Sequence, residues 1–142
     1  VLVHIKYLVH LLGDMHCPTH VYYYPDNMTL GKFPVKLHGV ETNYHKIWDG
    51  QLLDSRHKFW GFQDYRHALD NYTDEEIARM TEGTPVEWFE ESARRCREIY
   101  DWVQPGDELG QEFYNAHAPF AEYQLVLSGY RLAKVLNALF DR

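Results

Sequence analysis

Apolar residues gather in long helical runs at the two ends of the chain and in shorter, interrupted groups between them. From Val1 to His16 they stand on nearly every side of a helical wheel: Val1, Leu2, Val3, Ile5, Tyr7, Leu8, Val9, Leu11, Leu12 and Met15. That pattern predicts a central helix surrounded by protein, closed by Pro18. One polar stripe interrupts it, made of Lys6, His10, Gly13 and Asp14. Polar groups on a buried helix need partners, because unpaired burial costs about 2–7 kcal/mol. Thr19 to Val40 reads as loop, with turn signals at Pro25-Asp26-Asn27 and Leu30-Gly31. Within it Phe33 to Leu37 predicts a short edge strand, limited by Pro34. Thr42 or Asn43 caps a second helix running to about Leu53, and a third covers Phe62 to Asn71. Thr73-Asp74-Glu75-Glu76 and Thr84-Pro85-Val86-Glu87 are capping boxes, the second with Pro at the first helical position. The helix after Thr84 places Val86, Phe89, Ala93, Cys96 and Tyr100 on one stripe. After the turn Gln104-Pro105-Gly106-Asp107, the chain from Leu109 to Phe140 is helical, with Pro119 as a kink point. The predicted class is all-α, with long loops and room for one short β-hairpin.

Composition narrows the function. The 142 residues are 45% apolar and 25% charged, enough for one packed domain. Net charge is −7, which disfavours a protein that wraps duplex nucleic acid through basic side chains. A nucleic-acid enzyme whose positive charge comes from bound metal stays open. No run approaches the roughly 18 apolar residues of a membrane span. The two cysteines, Cys17 and Cys96, permit one bridge or none; Cys96, on the predicted stripe, reads as a buried free thiol. The uncapped start inside a helix predicts that residues 1–142 come from a longer chain.

The nine histidines carry the chemistry. His10 and Asp14 are four apart, as are His45 and Asp49, so each pair shares a helix face. His20 lies just past the first helix. Three imidazoles and two carboxylates make a ligand set suited to zinc. Asp14, with two oxygens, could bridge two ions. A single His/Asp pair is more often an ion pair than a metal site; two pairs, one on an apolar helix, strengthen the metal reading and leave the ion-pair reading open. His4, His16, His38, His57, His67 and His117 have no such pattern and read as solvated or locally hydrogen-bonded.

The segment Leu8-Val9-His10-Leu11-Leu12-Gly13-Asp14-Met15-His16-Cys17-Pro18-Thr19-His20 resembles the ligand-bearing segment of the zinc-dependent single-strand-specific nucleases of fungi, plants and bacteria. Thr42-Asn43-Tyr44-His45-Lys46-Ile47-Trp48-Asp49 is similar to their second such segment. Pro85-Val86-Glu87-Trp88 through Glu91-Ser92, and Gln124-Leu125 through Gly129-Tyr130-Arg131-Leu132-Ala133, also fit, in the family's order. Zinc phospholipases C share the fold, but there the last ligand tends to be Glu, so Asp49 favours the nuclease branch.

The resemblance implies a helical fold of the phospholipase C and single-strand nuclease type, with three Zn2+ ions in the full enzyme. His20, His45 and Asp49 would hold one, and His10 and Asp14 would help hold a second, with Asp14 bridging to a third. The other family ligands lie in the first half of the family's sequence, so this chain corresponds to the C-terminal half of one domain. By implication the parent uses zinc-activated hydroxide to attack phosphorus in line, cleaving single-stranded RNA and DNA to 5′-phosphates and releasing phosphate from 3′-nucleotides. This piece alone would bind one zinc and cleave little. The implied partners are unpaired nucleic acid or nucleotides and the missing N-terminal half, and the implied location is secreted or periplasmic. Competing readings are a phospholipase C-like phosphodiesterase and a non-catalytic zinc-binding fragment.

Tyr22, Tyr23 and Tyr24 follow His20 and are candidates to stack on an unpaired base, though packing of the loop is the preferred explanation. Thr29-Leu30-Gly31-Lys32 stands where relatives commonly carry Gly-Gly-Asn. Lys6 is read as pairing with a carboxylate of the missing half. Asn27-Met28-Thr29 and Asn71-Tyr72-Thr73 match the glycosylation sequon.

Overall fold

The computed structural model describes residues 2–21 and 31–140. Its elements in chain order are helix α1 (Leu2–Asp14), strands β1 (Pro34–Leu37) and β2 (Val40–Asn43), helices α2 (Tyr44–Lys46), α3 (Leu52–Arg56), α4 (Phe62–Leu69), α5 (Asp74–Met80) and α6 (Pro85–Arg97), strand β3 (Glu108–Leu109) and helix α7 (Gln111–Phe140). A wide turn, Ile47–Gln51, joins α2 to α3, and a tight 3-10 turn, Glu98–Asp101, follows α6. The fold is helical with one small sheet. No helix among the described residues is long and apolar enough to cross a membrane.

The caps act as their sequence predicts. Thr73 and Thr84 accept from the backbone N–H of Glu76 and Glu87, whose carboxylates return the bond. The Asn43 side chain accepts from the Lys46 N–H at 3.0 Å and starts α2. The second helix is not continuous. Gly50 leaves the helical conformation (φ 170°, ψ −33°), so the chain kinks directly after Asp49 before continuing to Arg56. The third helix stops at Leu69, and the Asn71 side chain donates to the carbonyls of His67 and Ala68.

The sheet corrects two expectations. Its order is β2-β1-β3, with β1 antiparallel to β2 and parallel to β3. Phe33–Leu37 therefore holds the middle strand rather than an edge. Pro34 is tolerated because it opens the strand, where its carbonyl still accepts from the Gly106 N–H at 2.8 Å. Leu109 belongs to β3, not to the last helix, which starts at Gln111 and runs through Pro119.

The core is aromatic and lies between the sheet, α2, α3, the 3-10 turn and the first half of α7. Val35, Leu37, Tyr44, Ile47, Trp48, Leu52, Ile99, Val103, Leu109, Tyr114, Ala118 and Ala121 form it. Tyr44 sits at its centre. Its hydroxyl donates to the Ile99 carbonyl at 2.6 Å, and its ring meets Trp48, Tyr100 and Phe113 edge-on and stacks on Phe33. Edge-on pairs of this kind add about 0.5–1.5 kcal/mol beyond area burial.

Two helices bury other faces than their patterns predict. On α1 only Leu12 is buried; Leu2, Val3, Tyr7, Val9 and Leu11 are exposed, Leu2 at 66%. Among the described elements the helix packs chiefly on α7. Lys6 is exposed with it. On α6 the buried face is Trp88, Ser92, Ala93 and Cys96, while Val86 and Phe89 are exposed. The cause is polar pairing across the helices. Buried Gln124 of α7 donates to the His16 carbonyl (3.0 Å) and to Ser92 Oγ (3.5 Å), and Arg131 ion-pairs with Glu91 and lies over the Trp88 ring at 5.3 Å. Cys96, as expected, is a buried free thiol, pushed up to about 12 by burial. Cys17 is also free, so the two are not bridged.

Candidate metal centre

The segment after α1 is wound tightly. The His16 and Cys17 N–H groups donate to the Gly13 and Asp14 carbonyls, and the His20 N–H to the Cys17 carbonyl, each at 3.0 Å. These successive turns, with Pro18 barring a continuing helix, fold His20 back over Asp14. Fully buried Thr19 anchors the coil by donating to the His45 carbonyl at 3.5 Å. Gly31 presses from the other side. It adopts a left-handed conformation (φ 73°), its carbonyl accepts from the His45 N–H at 2.8 Å, and a Cβ there would meet Thr19 Cγ2 at 3.3 Å. Only glycine combines that backbone with that approach. Asp49 is presented by the wide turn just before the kink at Gly50.

The structure thus gathers Asp14, His45 and Asp49 around His20 from two segments, although among the described residues neither Asp14 nor His45 belongs to the set of donor atoms within 4.8 Å of one another. His20 Nδ1 stands 2.6 Å from Asp14 Oδ1, and His20 Nε2 stands 3.4 Å from Asp49 Oδ1. The His20 and His45 rings lie 5.0 Å apart, centre to centre, at a 30° tilt. A carboxylate only accepts, so Nδ1 carries the hydrogen of the short contact. In the neutral ring Nε2 is then an acceptor, and it faces a second acceptor, Asp49 Oδ1. Two acceptors 3.4 Å apart call for a cation or a proton between them. His10 is exposed on α1 one turn before Asp14 and joins none of these contacts.

Sequence reasoning missed one member. Cys17 Sγ, a His20 ring nitrogen and an Asp49 oxygen all lie within 4.8 Å of one another. The thiol also contacts Thr19 Oγ1 and donates to the Trp48 carbonyl, both at 3.7 Å. Burial raises its pKa, hydrogen bonds with Thr19 oppose the rise, and the nearby Asp49 and Asp14 charges add to it. The available signal was position: Cys17 falls three residues from both Asp14 and His20.

His16, read from sequence as solvated or locally bonded, is locally bonded and buried. Its Nδ1 donates to the Leu12 carbonyl (2.7 Å) and its Nε2 accepts from Arg131 Nη1 (3.0 Å). Desolvation is the main cause of its lowered pKa. His57 is likewise partnered, with Nε2 at 2.8 Å from Glu122 and its ring stacked on Trp60 at 3.5 Å. Tyr22, Tyr23, Tyr24, Asn27 and the Thr29-Leu30 departure fall outside the described residues.

The S1/P1 nuclease family model matches residues 2–141. The chain belongs to the S1/P1 nuclease family. Among its relatives, Endonuclease 2 of Arabidopsis thaliana is 27% identical, with 96% of this chain aligned to 51% of that protein. Endonuclease 4 of the same plant is 26% identical over 96% of the chain and 50% of its own length. Nuclease S1 of Aspergillus oryzae is 26% identical over 95% and 53%. The chain spans about half the length of these relatives. That the first segment, the kinked second segment, α6 and α7 all pack together agrees with a match running from end to end.

Proposed function

We propose that this chain is the C-terminal half of a zinc-dependent phosphodiesterase that cleaves single-stranded RNA and DNA to 5′-phosphate products and removes phosphate from 3′-nucleotides. The observation that carries it is the His20 ring, tied through Nδ1 to Asp14 while Nε2 faces Asp49 Oδ1 at 3.4 Å. Metal-binding histidines donate their second N–H to a carboxylate in this way, which fixes the tautomer and turns the free nitrogen towards the ion. Two imidazoles and two carboxylates from two elements fit zinc by donor type. His20, His45 and Asp49 would hold one ion; His10 and Asp14 would contribute to a second and third.

Zinc bound there supplies Lewis-acid charge and activates water near neutral pH. The chain's own residues set the geometry for it. Asp14 holds His20 in one tautomer, Thr19 and Gly31 hold the two ligand-bearing segments in register, and the kink after Asp49 presents its carboxylate. With a net charge of −7, positive charge bound at this site would favour a polyanionic substrate. The exposed apolar side of α1 is the surface expected to take the rest of the domain. Secretion or a periplasmic location belongs to the same proposal, as does a contribution of Tyr22, Tyr23 or Tyr24 to base stacking.

A second reading has its own observation: a doubly protonated His20 between Asp14 and Asp49 would satisfy both contacts with no metal. The test is hydrolysis of single-stranded DNA with zinc present. Alone, the chain is expected to cleave little; joined in one polypeptide to the part of its relatives that it does not span, it is expected to release 5′-phosphate ends. Phospholipid head-group release in place of nucleic-acid cleavage would move the assignment to a phospholipase C-like enzyme, and no hydrolysis by the joined chain would remove the catalytic claim.

A further inference from the structure

We propose that Cys17 is a sulfur ligand of the ion held by His20, His45 and Asp49. The inference rests on the metal reading above and extends it to a residue that no ligand pattern included. Cys17 Sγ lies in one cluster with a ring nitrogen of His20 and a carboxylate oxygen of Asp49, all three donors within 4.8 Å of one another. Asp49 is exposed, and Cys17 and His20 are half-buried, so the three donors stand at the protein surface within reach of one ion. The sulfur is delivered by the backbone. The Cys17 N–H is held by the Asp14 carbonyl at 3.0 Å, and Sγ reaches the Trp48 carbonyl at 3.7 Å, beside the turn that carries Asp49. It is a free thiol and not fully buried. Binding is a substitution of proton by metal. The S–H bond breaks, the proton passes to solvent, and the sulfur–metal bond forms from the same electron pair, with no change in oxidation state. A thiolate adds one negative charge and a soft donor, which favours zinc, cobalt or cadmium over magnesium or manganese.

The test loads the 142-residue chain with Co2+ alone. Thiolate ligation is expected to give a sulfur-to-cobalt charge-transfer band in the near ultraviolet beside the visible d–d bands. Cys17→Ser and Cys17→Ala should lose the near-ultraviolet band and keep the visible ones. X-ray absorption of the zinc-loaded wild-type chain should show one sulfur at about 2.3 Å. Zinc affinity should fall in both variants by at least the ~10- to 100-fold that even an outer partner of a ligand is worth. Visible bands without the near-ultraviolet band, together with nitrogen and oxygen scatterers alone, would overturn the inference and leave the metal reading standing. No cobalt uptake by a chain that far-ultraviolet circular dichroism shows to be folded would overturn both.

Discussion

His16 and His20 are four residues apart, and their surroundings differ in kind. His16 is buried with both ring nitrogens matched inside the chain: a carbonyl accepts from one and a guanidinium donates to the other. The network closes on itself through Arg131, Glu91 and Gln124, reaching three helices and the coil after α1. His20 is partly exposed and faces two carboxylates, with an imidazole and a thiol nearby. At His16 donors and acceptors are complementary; at His20 one nitrogen is matched by Asp14 and the other faces a carboxylate oxygen, a contact that either a cation or a proton would satisfy. Burial alone would have ranked the two the wrong way round.

Breaking each cluster should therefore give opposite phenotypes. The largest effect is on occupancy: His45→Ala should abolish zinc uptake by the chain while changing metal-free stability by no more than about 1 kcal/mol. Zinc content unchanged in that variant would remove His45 from the ligand set. Next is Arg131→Met. It takes from Glu91 one of its two arginine partners, Arg95 remaining at 2.9 Å, and leaves the buried His16 acceptor unfilled, which costs about 1–3 kcal/mol. Urea denaturation should register that loss, with zinc per folded molecule unaffected. Asp14→Asn is milder. It keeps the shape but weakens the bond that orients His20, and zinc affinity is expected to fall about 10- to 100-fold in a competition titration with a chelator.

The smallest effect is in pH dependence. Desolvation pushes the Glu91 carboxyl up, but the hydrogen bond and charge of Arg131, with Arg95 beside it, bring it net below its ordinary value of 4.5. A carboxylate lowered on folding contributes stability above its unfolded pKa and loses it as pH falls through the folded one. The stability advantage of wild type over Glu91→Gln should thus persist at neutral pH and shrink below about pH 4.5. A gap that stayed constant down through acid would mean that Glu91 is not charged in the native network.

What was legible in the sequence was local. Asn43, Thr73 and Thr84 state their caps by spacing alone, since the partner is three residues away. The two His/Asp pairs stand out for the same reason. What was not legible depends on distant partners. Glu108 and Leu109 form a strand only because β1 lies beside them, and β1 becomes central only through that pairing. Ser92 and Glu91 turn towards the interior because Gln124 and Arg131 wait on α7, which displaces Val86 and Phe89 to the surface. The apolar character of α1 predicts burial on all sides, yet among the described residues it packs chiefly on α7 and leaves Leu2, Val3, Tyr7, Val9 and Leu11 exposed. Cys17 escaped notice because its relation to Asp49 is made by the kink at Gly50 and the coil after Asp14, neither of which has a periodic signature.

The central claim is that the cluster around His20 is a metal site rather than an ion pair. The direct measurement is zinc bound per folded chain, by elemental analysis after dialysis against trace zinc, for wild type and His20→Ala. About one zinc per wild-type chain is expected, and none in the variant. Wild-type protein that is folded and metal-free, or a variant that keeps its zinc, would contradict it and leave His20 as a protonated bridge between Asp14 and Asp49.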